Sequence, residues 1–392
     1  MTPVLDCDQH LFEPADTWLK YCDPHKRDLA MTIEPDELGY WWLTNRFLGR
    51  RVTYAWISVP EDGFESMGGA RKRHYDGLPS EIDYQRDLPL DYWEPAARIR
   101  RLDEWGIDET LLIPNWTLIW ERGVGDSLDV CRANMEAWNR WAVELQQQGR
   151  GRLHLVGHVT LRGGDLSWLE EQLRLLSKAG VRAATFTYGL VDGRRMSHPD
   201  HERAWSMFVE YGVMPVFHVV DGEQRASGLP HEWFENDFDP FVPVVEIPFM
   251  NIGIQLSLAD LVLNGVLERH PKLRFCCVEF SANTWLPNLK AGIDRAIGQH
   301  RLLNGRDLYP LQRKPSEYLD AQVMCAVDPR HGDIAGYIAE HGAENLMFGG
   351  DWPHCEGYFK PLENYRKQTG PLPSAASETL YGGTLHSLLH AA

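Results

Sequence analysis

Short apolar runs alternate with stretches of helical period over most of the chain, the pattern of βα units laid around a parallel sheet. Eight such runs stand out: Val4 to Cys7, Thr110 to Ile113, Leu153 to Val159, Arg182 to Thr187, Val213 to His218, Arg274 to Glu279, Ala321 to Ala326 and Asn345 to Gly349. The periodicity predicts helices near Trp93 to Trp105, Ser127 to Gln147, Ser167 to Lys178, His201 to Tyr211 and Leu256 to His270, with a closing helix over Ser374 to Leu389. Eight strands with helices between them predict an α/β fold of the (β/α)8 TIM-barrel type rather than an open sheet.

Two segments break the rhythm. Residues 30–90 separate the first strand from the helix near Trp93. Within them Ala30 to Glu34, Tyr40 to Thr44 and Arg51 to Trp56 read as a small antiparallel insertion. Residues 219–251 follow the fifth strand and are rich in Pro, Gly, Asp and aromatics. A long loop there would sit over the catalytic mouth of a barrel. No internal repeat or low-complexity tract is visible, so residues 1–392 read as one barrel domain with two insertions.

Composition narrows the class. With 392 residues, 43% of them hydrophobic, the chain can bury a large core. The net charge of -17 and the lack of a Lys/Arg block speak against a nucleic-acid binder. No run of about 18 apolar residues is present, which predicts no membrane span. The first residues show no basic segment followed by an apolar stretch, so no signal peptide is expected. The seven cysteines are scattered, with no C-x-x-C pair, which suits reduced thiols in a cytoplasmic protein. Some of the 15 tryptophans are candidates to line a pocket for a cyclic ligand.

Candidate chemistry gathers at strand ends. Side chains alternate along a strand, so Asp8 and His10 point the same way. The fifth strand ends in His218, and the eighth runs into Gly349-Gly350-Asp351-Trp352-Pro353-His354. Each alone has a plain reading as a turn or hydrogen-bonded residue. Together they deliver two carboxylates and two imidazoles to the C-terminal end of a barrel, where active sites lie. Such a set would hold one divalent cation and leave room for water or substrate.

These residues resemble the amidohydrolase-related family that includes aminocarboxymuconate semialdehyde decarboxylase and the resorcylate-type decarboxylases. The likeness covers nearly the whole chain. It rests on Asp8-Gln9-His10-Leu11-Phe12-Glu13-Pro14, Leu102-Asp103-Glu104-Trp105-Gly106-Ile107-Asp108, Pro215-Val216-Phe217-His218, Trp285-Leu286-Pro287 and Phe348-Gly349-Gly350-Asp351-Trp352-Pro353-His354. The resemblance implies a distorted (β/α)8 barrel with one divalent cation, often in a homodimer. It places the metal ligands on Asp8, His10, His218 and Asp351, Asp8 standing where relatives often carry His or Glu. It also shows a departure. Relatives end strand six with a proton-handling histidine, whereas Phe280, or alternatively Glu279, holds that position here.

The expected activity is therefore that of a metal-dependent hydrolase acting on a small cyclic or aromatic substrate, with Asp351 taking a proton from water. A metal-dependent decarboxylase of a carboxylated ring is the alternative, and a non-catalytic barrel subunit of a pathway complex is a third reading. Glu279 and His354 are the candidates to replace the absent histidine; a structural salt bridge and a capping role are their plainer readings. Trp116, Tyr188, Phe280 and Arg330 are candidate substrate contacts, with Asp328 and His331 beside the last. Zinc is the first expectation for the metal, with manganese, iron or magnesium as others.

Overall fold

The computed structural model describes residues 2–61, 63–219, 247–306 and 309–390. Among them the strands are, in chain order, β1 (Leu5–Leu11), β2 (Met31–Pro35), β3 (Trp41–Asn45), β4 (Arg50–Tyr54), β5 (Glu109–Pro114), β6 (Leu153–His158), β7 (Ala183–Thr185), β8 (Met214–His218), β9 (Phe275–Val278), β10 (Val323–Val327) and β11 (Leu346–Phe348). Eight form one sheet in the order β1-β5-β6-β7-β8-β9-β10-β11. The ladders β1–β5, β5–β6, β7–β8, β8–β9, β9–β10 and β10–β11 are parallel. With helices between the strands, this is a distorted (β/α)8 barrel. The insertion after β1 is an antiparallel sheet, β2-β3-β4, as expected from sequence.

By its contacts the chain divides into two compact units. The first comprises Met1–Val159, Lys178–Arg182 and Gly349–Gly370. It holds β1 to β6. Glu94 caps the helix Pro95–Trp105 by accepting the N–H groups of Ala96 and Ala97, Pro95 opens it, and Gly106 ends it with a left-handed φ of 69°. The helix Leu128–Gln148 starts at Ser127 and buries Trp138, whose Nε1 donates to the Val156 carbonyl at 2.9 Å.

The second unit comprises Thr160–Ser177, Ala183–Phe348 and Pro371–Ala392, and holds β7 to β11. Its core is aromatic. Phe217 stacks on Phe275 with ring centroids 5.3 Å apart, and Phe186 packs against Phe208 and Phe217.

Several boundaries depart from the sequence pattern. β1 runs on to Leu11 because residues 9–11 pair with Leu112 to Pro114, so Asp8 and His10 lie within the strand. The helix expected over Leu256 to His270 is two helices, Ile252–Leu263 and Val266–Arg269, parted at Gly265, whose φ is 75°. The closing segment is Ser374–Glu378 and Thr384–Leu389 joined by a π turn at Thr379–Gly383. Most of the loop expected at 219–251 lies outside the described residues. Among the described residues, no helix is long and apolar enough to cross a membrane. All seven cysteines are buried thiols.

Candidate metal centre

In the first unit, β1 and the segment after β11 lie side by side. The N–H of Asp351 donates to the Asp8 carbonyl at 2.6 Å, and the N–H of His10 donates to the Trp352 carbonyl at 2.8 Å. Two glycines make this approach possible. A Cβ on Gly349 would lie 2.9 Å from the Asp8 Cβ, and one on Gly350 would lie 2.5 Å from Asp6 Oδ2. The segment packed against this glycine pair is β1.

The result is a buried cluster. His10 Nε2 lies 3.4 Å from Asp8 Oδ1 and 3.4 Å from Asp351 Oδ1. Asp8, His10 and Asp351 are each at most 4% exposed. Asp351 Oδ2 is buried and accepts no hydrogen bond from the described residues. A carboxylate oxygen left so in a dry site is costly unless a cation faces it. Two carboxylate oxygens and one imidazole nitrogen around a common point suit a hard or borderline divalent ion, so the residues fit such a group.

His354 completes this side. Its ring stacks on that of His10 with centroids 3.7 Å apart. Its Nδ1 is 2.8 Å from Asp351 Oδ1 and its Nε2 is 2.7 Å from Asn115 Oδ1. Burial works against the imidazolium, but the Asp351 carboxylate outweighs it and pushes the His354 pKa up to about 9. Burial likewise raises Asp351, yet His354 and His10 together hold its carboxyl well below the usual carboxylate range.

Two further carboxyls are buried nearby in the chain. Asp6 is pushed up to about 7 by burial, against hydrogen bonds from Gln9 and the N–H groups of Asp8 and Gly350. Glu13, also pushed up to about 7 by burial, accepts the N–H groups of Trp116 and Thr117 and the Thr117 hydroxyl. Trp116 itself is fully buried, edge-on to Phe12 and Trp56, with Nε1 donating to the Tyr84 hydroxyl at 2.7 Å. It is placed behind the cluster's aromatic neighbours rather than at a surface.

In the second unit, His218 is the last residue of β8 and 3% exposed. Its Nδ1 lies 2.6 Å from the Val219 carbonyl, which selects the tautomer protonated there. Its Nε2 lies 3.4 Å from Glu279 Oε2. Metal-ligating histidines characteristically donate the other ring nitrogen in this way. Glu279 follows β9 directly with a φ of 68°, so of the two residues considered for the strand-six position it is Glu279 that meets His218. Phe280 is 3% exposed and packs on Tyr188 with centroids 5.4 Å apart, its carbonyl accepting the Trp285 indole N–H. The Tyr188 hydroxyl is buried and makes no hydrogen bond with the described residues. The fork of Arg330 is engaged by Asp328, at 3.0 Å from Nε and 2.5 Å from Nη2. His331 Nδ1 lies 2.6 Å from the Ser281 hydroxyl.

The fold thus brings Asp8, His10, Asp351 and His354 together in one unit and pairs His218 with Glu279 in the other. One pair escaped the sequence pattern. His158 ends β6 as His218 ends β8, and its Nε2 is 3.1 Å from Glu121 Oε2, both residues being buried. The signal was available in the same form as for His218: a histidine closing an apolar strand.

Comparison with known proteins settles the family. The amidohydrolase family model matches residues 5–379, nearly the full chain. The chain belongs to the amidohydrolase family. No curated protein matches it. Among solved structures it is similar to an amidohydrolase from Mycobacterium avium subsp. paratuberculosis K-10, at 19% identity and a TM-score of 0.77 over 99% of both chains. It is similar to 5-carboxyvanillate decarboxylase from Sphingomonas paucimobilis, at 14% identity and a TM-score of 0.64 over 99% of both chains. It is also similar to the 5-carboxyvanillate decarboxylase of Novosphingobium aromaticivorans DSM 12444, solved with manganese and 4-hydroxy-3-methoxy-5-nitrobenzoic acid, at 15% identity, a TM-score of 0.62, and 99% and 96% coverage. At these identities the structural likeness speaks for the fold, and the family membership rests on the model match.

Proposed function

We propose that this amidohydrolase-family protein is a metal-dependent carboxy-lyase that removes carbon dioxide from a small carboxylated aromatic ring. The observation that carries the reading is the buried Asp8–His10–Asp351 cluster with the His354 ring laid against it. Asp8, His10, His218 and Asp351 are the proposed ligands. Support for His218 comes from its place as the last residue of β8, with Nδ1 turned to the Val219 carbonyl at 2.6 Å. Two of the similar solved structures are 5-carboxyvanillate decarboxylases, and one of these holds manganese. Two carboxylates in the set tilt the choice toward manganese or another oxygen-preferring cation and away from zinc.

A divalent cation held there would supply positive charge against a carboxylate or phenolate oxygen of the substrate. The chain's own part is proton transfer and orientation. His354, anchored by Asp351 and Asn115, is the proposed proton donor. The proton adds to the ring carbon bearing the carboxylate; the bond to that carboxylate breaks, its electron pair returns to the ring, and carbon dioxide leaves. Tyr188 and Phe280 are proposed as ring walls, and Glu279 as the group occupying the place of the relatives' strand-six histidine.

Hydrolysis, the activity first expected from sequence, is the second reading. Glu279, a carboxylate at a strand end beside His218, favours it as a base for water. Against it, the Asp351 carboxylate assigned to that task is engaged by His354 and His10. A screen of hydroxylated benzoates for carbon dioxide release, with and without manganese, separates the two from a parallel screen of esters, amides and lactones. Metal-dependent release from a benzoate is the expected result; turnover of esters or lactones alone would overturn the lyase reading.

A further inference from the structure

β1 carries an irregularity that the metal-centre reading does not use. Its pairing with β5 shifts register between Asp6 and Gln9, and the side chains of those two residues meet: Gln9 Nε2 donates to Asp6 Oδ2 at 2.9 Å. Bulges of this kind re-aim side chains next to active sites. The Asp6 carboxylate is completely buried. Its Oδ1 accepts two backbone N–H groups, that of Asp8 at 3.0 Å and that of Gly350 at 2.8 Å. One belongs to a proposed ligand on β1. The other belongs to the residue just before the proposed ligand Asp351, 344 positions along the chain from Asp6.

The network continues with a fixed direction. Gln9 Oε1 accepts from Arg98 Nη1 at 3.1 Å, and Arg98 Nη2 donates to the His10 carbonyl at 2.7 Å. Arg98 is fully buried and also lies over the Trp352 ring, 4.5 Å from its centroid. Arg98 also donates Nε to the Asp91 carbonyl at 2.6 Å, which anchors the guanidinium, while its contacts with Gln9, His10 and Trp352 and those of the Asp6 carboxylate reach β1 at Asp8, Gln9 and His10 and the segment 350–352.

We infer that Asp6 is a positioning residue: its carboxylate, through Gln9 and Arg98, clamps the two ligand-bearing segments in the spacing a cation requires. The inference rests on the metal-centre reading above. Each donor needs an acceptor, and only a carboxylate at Asp6 accepts on both oxygens. In Asp6→Asn one of the two atoms becomes an amide nitrogen, which cannot accept from Gln9 Nε2. Turning Gln9 over would set its nitrogen against the Arg98 guanidinium, donor to donor. Groups that orient metal ligands without touching the metal typically contribute about 10–100-fold in metal affinity.

The test is a titration of the full-length protein with Mn²⁺, following the free ion by electron paramagnetic resonance, at a temperature where circular dichroism shows each variant folded. Wild type, Asp6→Asn and Gln9→Met are compared. The expected result is about 10–100-fold weaker Mn²⁺ binding in Asp6→Asn, and a smaller loss in Gln9→Met, which leaves both backbone N–H groups on Asp6. A merely structural role would lower the melting temperature and leave the affinity of the folded protein unchanged. Unchanged affinity in Asp6→Asn, or in Gln9→Met should Asp6→Asn not fold, overturns the inference. Wild type that binds no Mn²⁺ overturns the metal-centre reading itself, which keeps the two failures distinct.

Discussion

The rings of His10 and His354 stack with centroids 3.7 Å apart, and both face one oxygen of Asp351: His10 Nε2 at 3.4 Å and His354 Nδ1 at 2.8 Å. A single carboxylate thus ties a residue proposed to bind metal to a residue proposed to move a proton. This sharing makes the two roles separable by mutation. His354→Asn should keep the metal and lose turnover by about 10²–10⁴-fold, the usual worth of a positioned acid. Metal content by elemental analysis beside kcat on a substrate from the benzoate screen checks it. Loss of metal together with activity would make His354 a ligand instead.

Gly350 is expected to tolerate no side chain. Its Cβ would fall 2.5 Å from Asp6 Oδ2 and 2.7 Å from the Pro361 Cβ. Gly350→Ala should therefore destabilise the protein by about 1–3 kcal/mol through overpacking. Gly68→Ala, inside the helix Phe64–Tyr75 where a Cβ meets nothing within 4 Å, is the control and should stabilise by up to about 1 kcal/mol. Urea unfolding of the two variants measures the difference.

Glu13 makes stability depend on pH. Burial raises its pKa from the ordinary 4.5 to about 7. The folded protein therefore binds this proton more tightly than the unfolded chain. The contribution is fully present below about pH 4.5 and is lost as pH rises through about 7, worth about 3 kcal/mol in all. Glu13→Gln carries no such proton. Between pH 5 and 8 the stability of wild type should fall relative to that of Glu13→Gln, as followed by denaturant midpoints. A constant difference across that window would contradict the assignment.

Much of this was legible in the sequence, for physical reasons that also explain the rest. Strands buried on both faces read as apolar runs, so β8 could be followed to His218 and β11 to Phe348 within a residue. Alternation placed Asp8 and His10 on one face, and the structure puts their side chains 3.4 Å apart. The Asp6–Gln9 contact was not legible, because strict alternation sends those two residues to opposite faces and only the register shift brings them together. The break at Gly265 was hidden in a run of apolar residues that continue the helical period on either side. Arg330 read as a candidate substrate contact with Asp328 beside it, and the structure turns its guanidinium onto that Asp328 carboxylate, a contact two residues away that sequence alone does not assign. His158 was legible as a histidine closing an apolar strand, but its partner Glu121 lies on a helix 37 residues earlier, a distance no local pattern spans.

The most direct measurement of the central claim is elemental analysis of the purified protein after manganese supplementation, beside His218→Ala. Binding of about one equivalent of divalent metal per chain, lost in the variant, is the expected result. No metal in either protein, or equal metal in both, would contradict a centre built from Asp8, His10, His218 and Asp351.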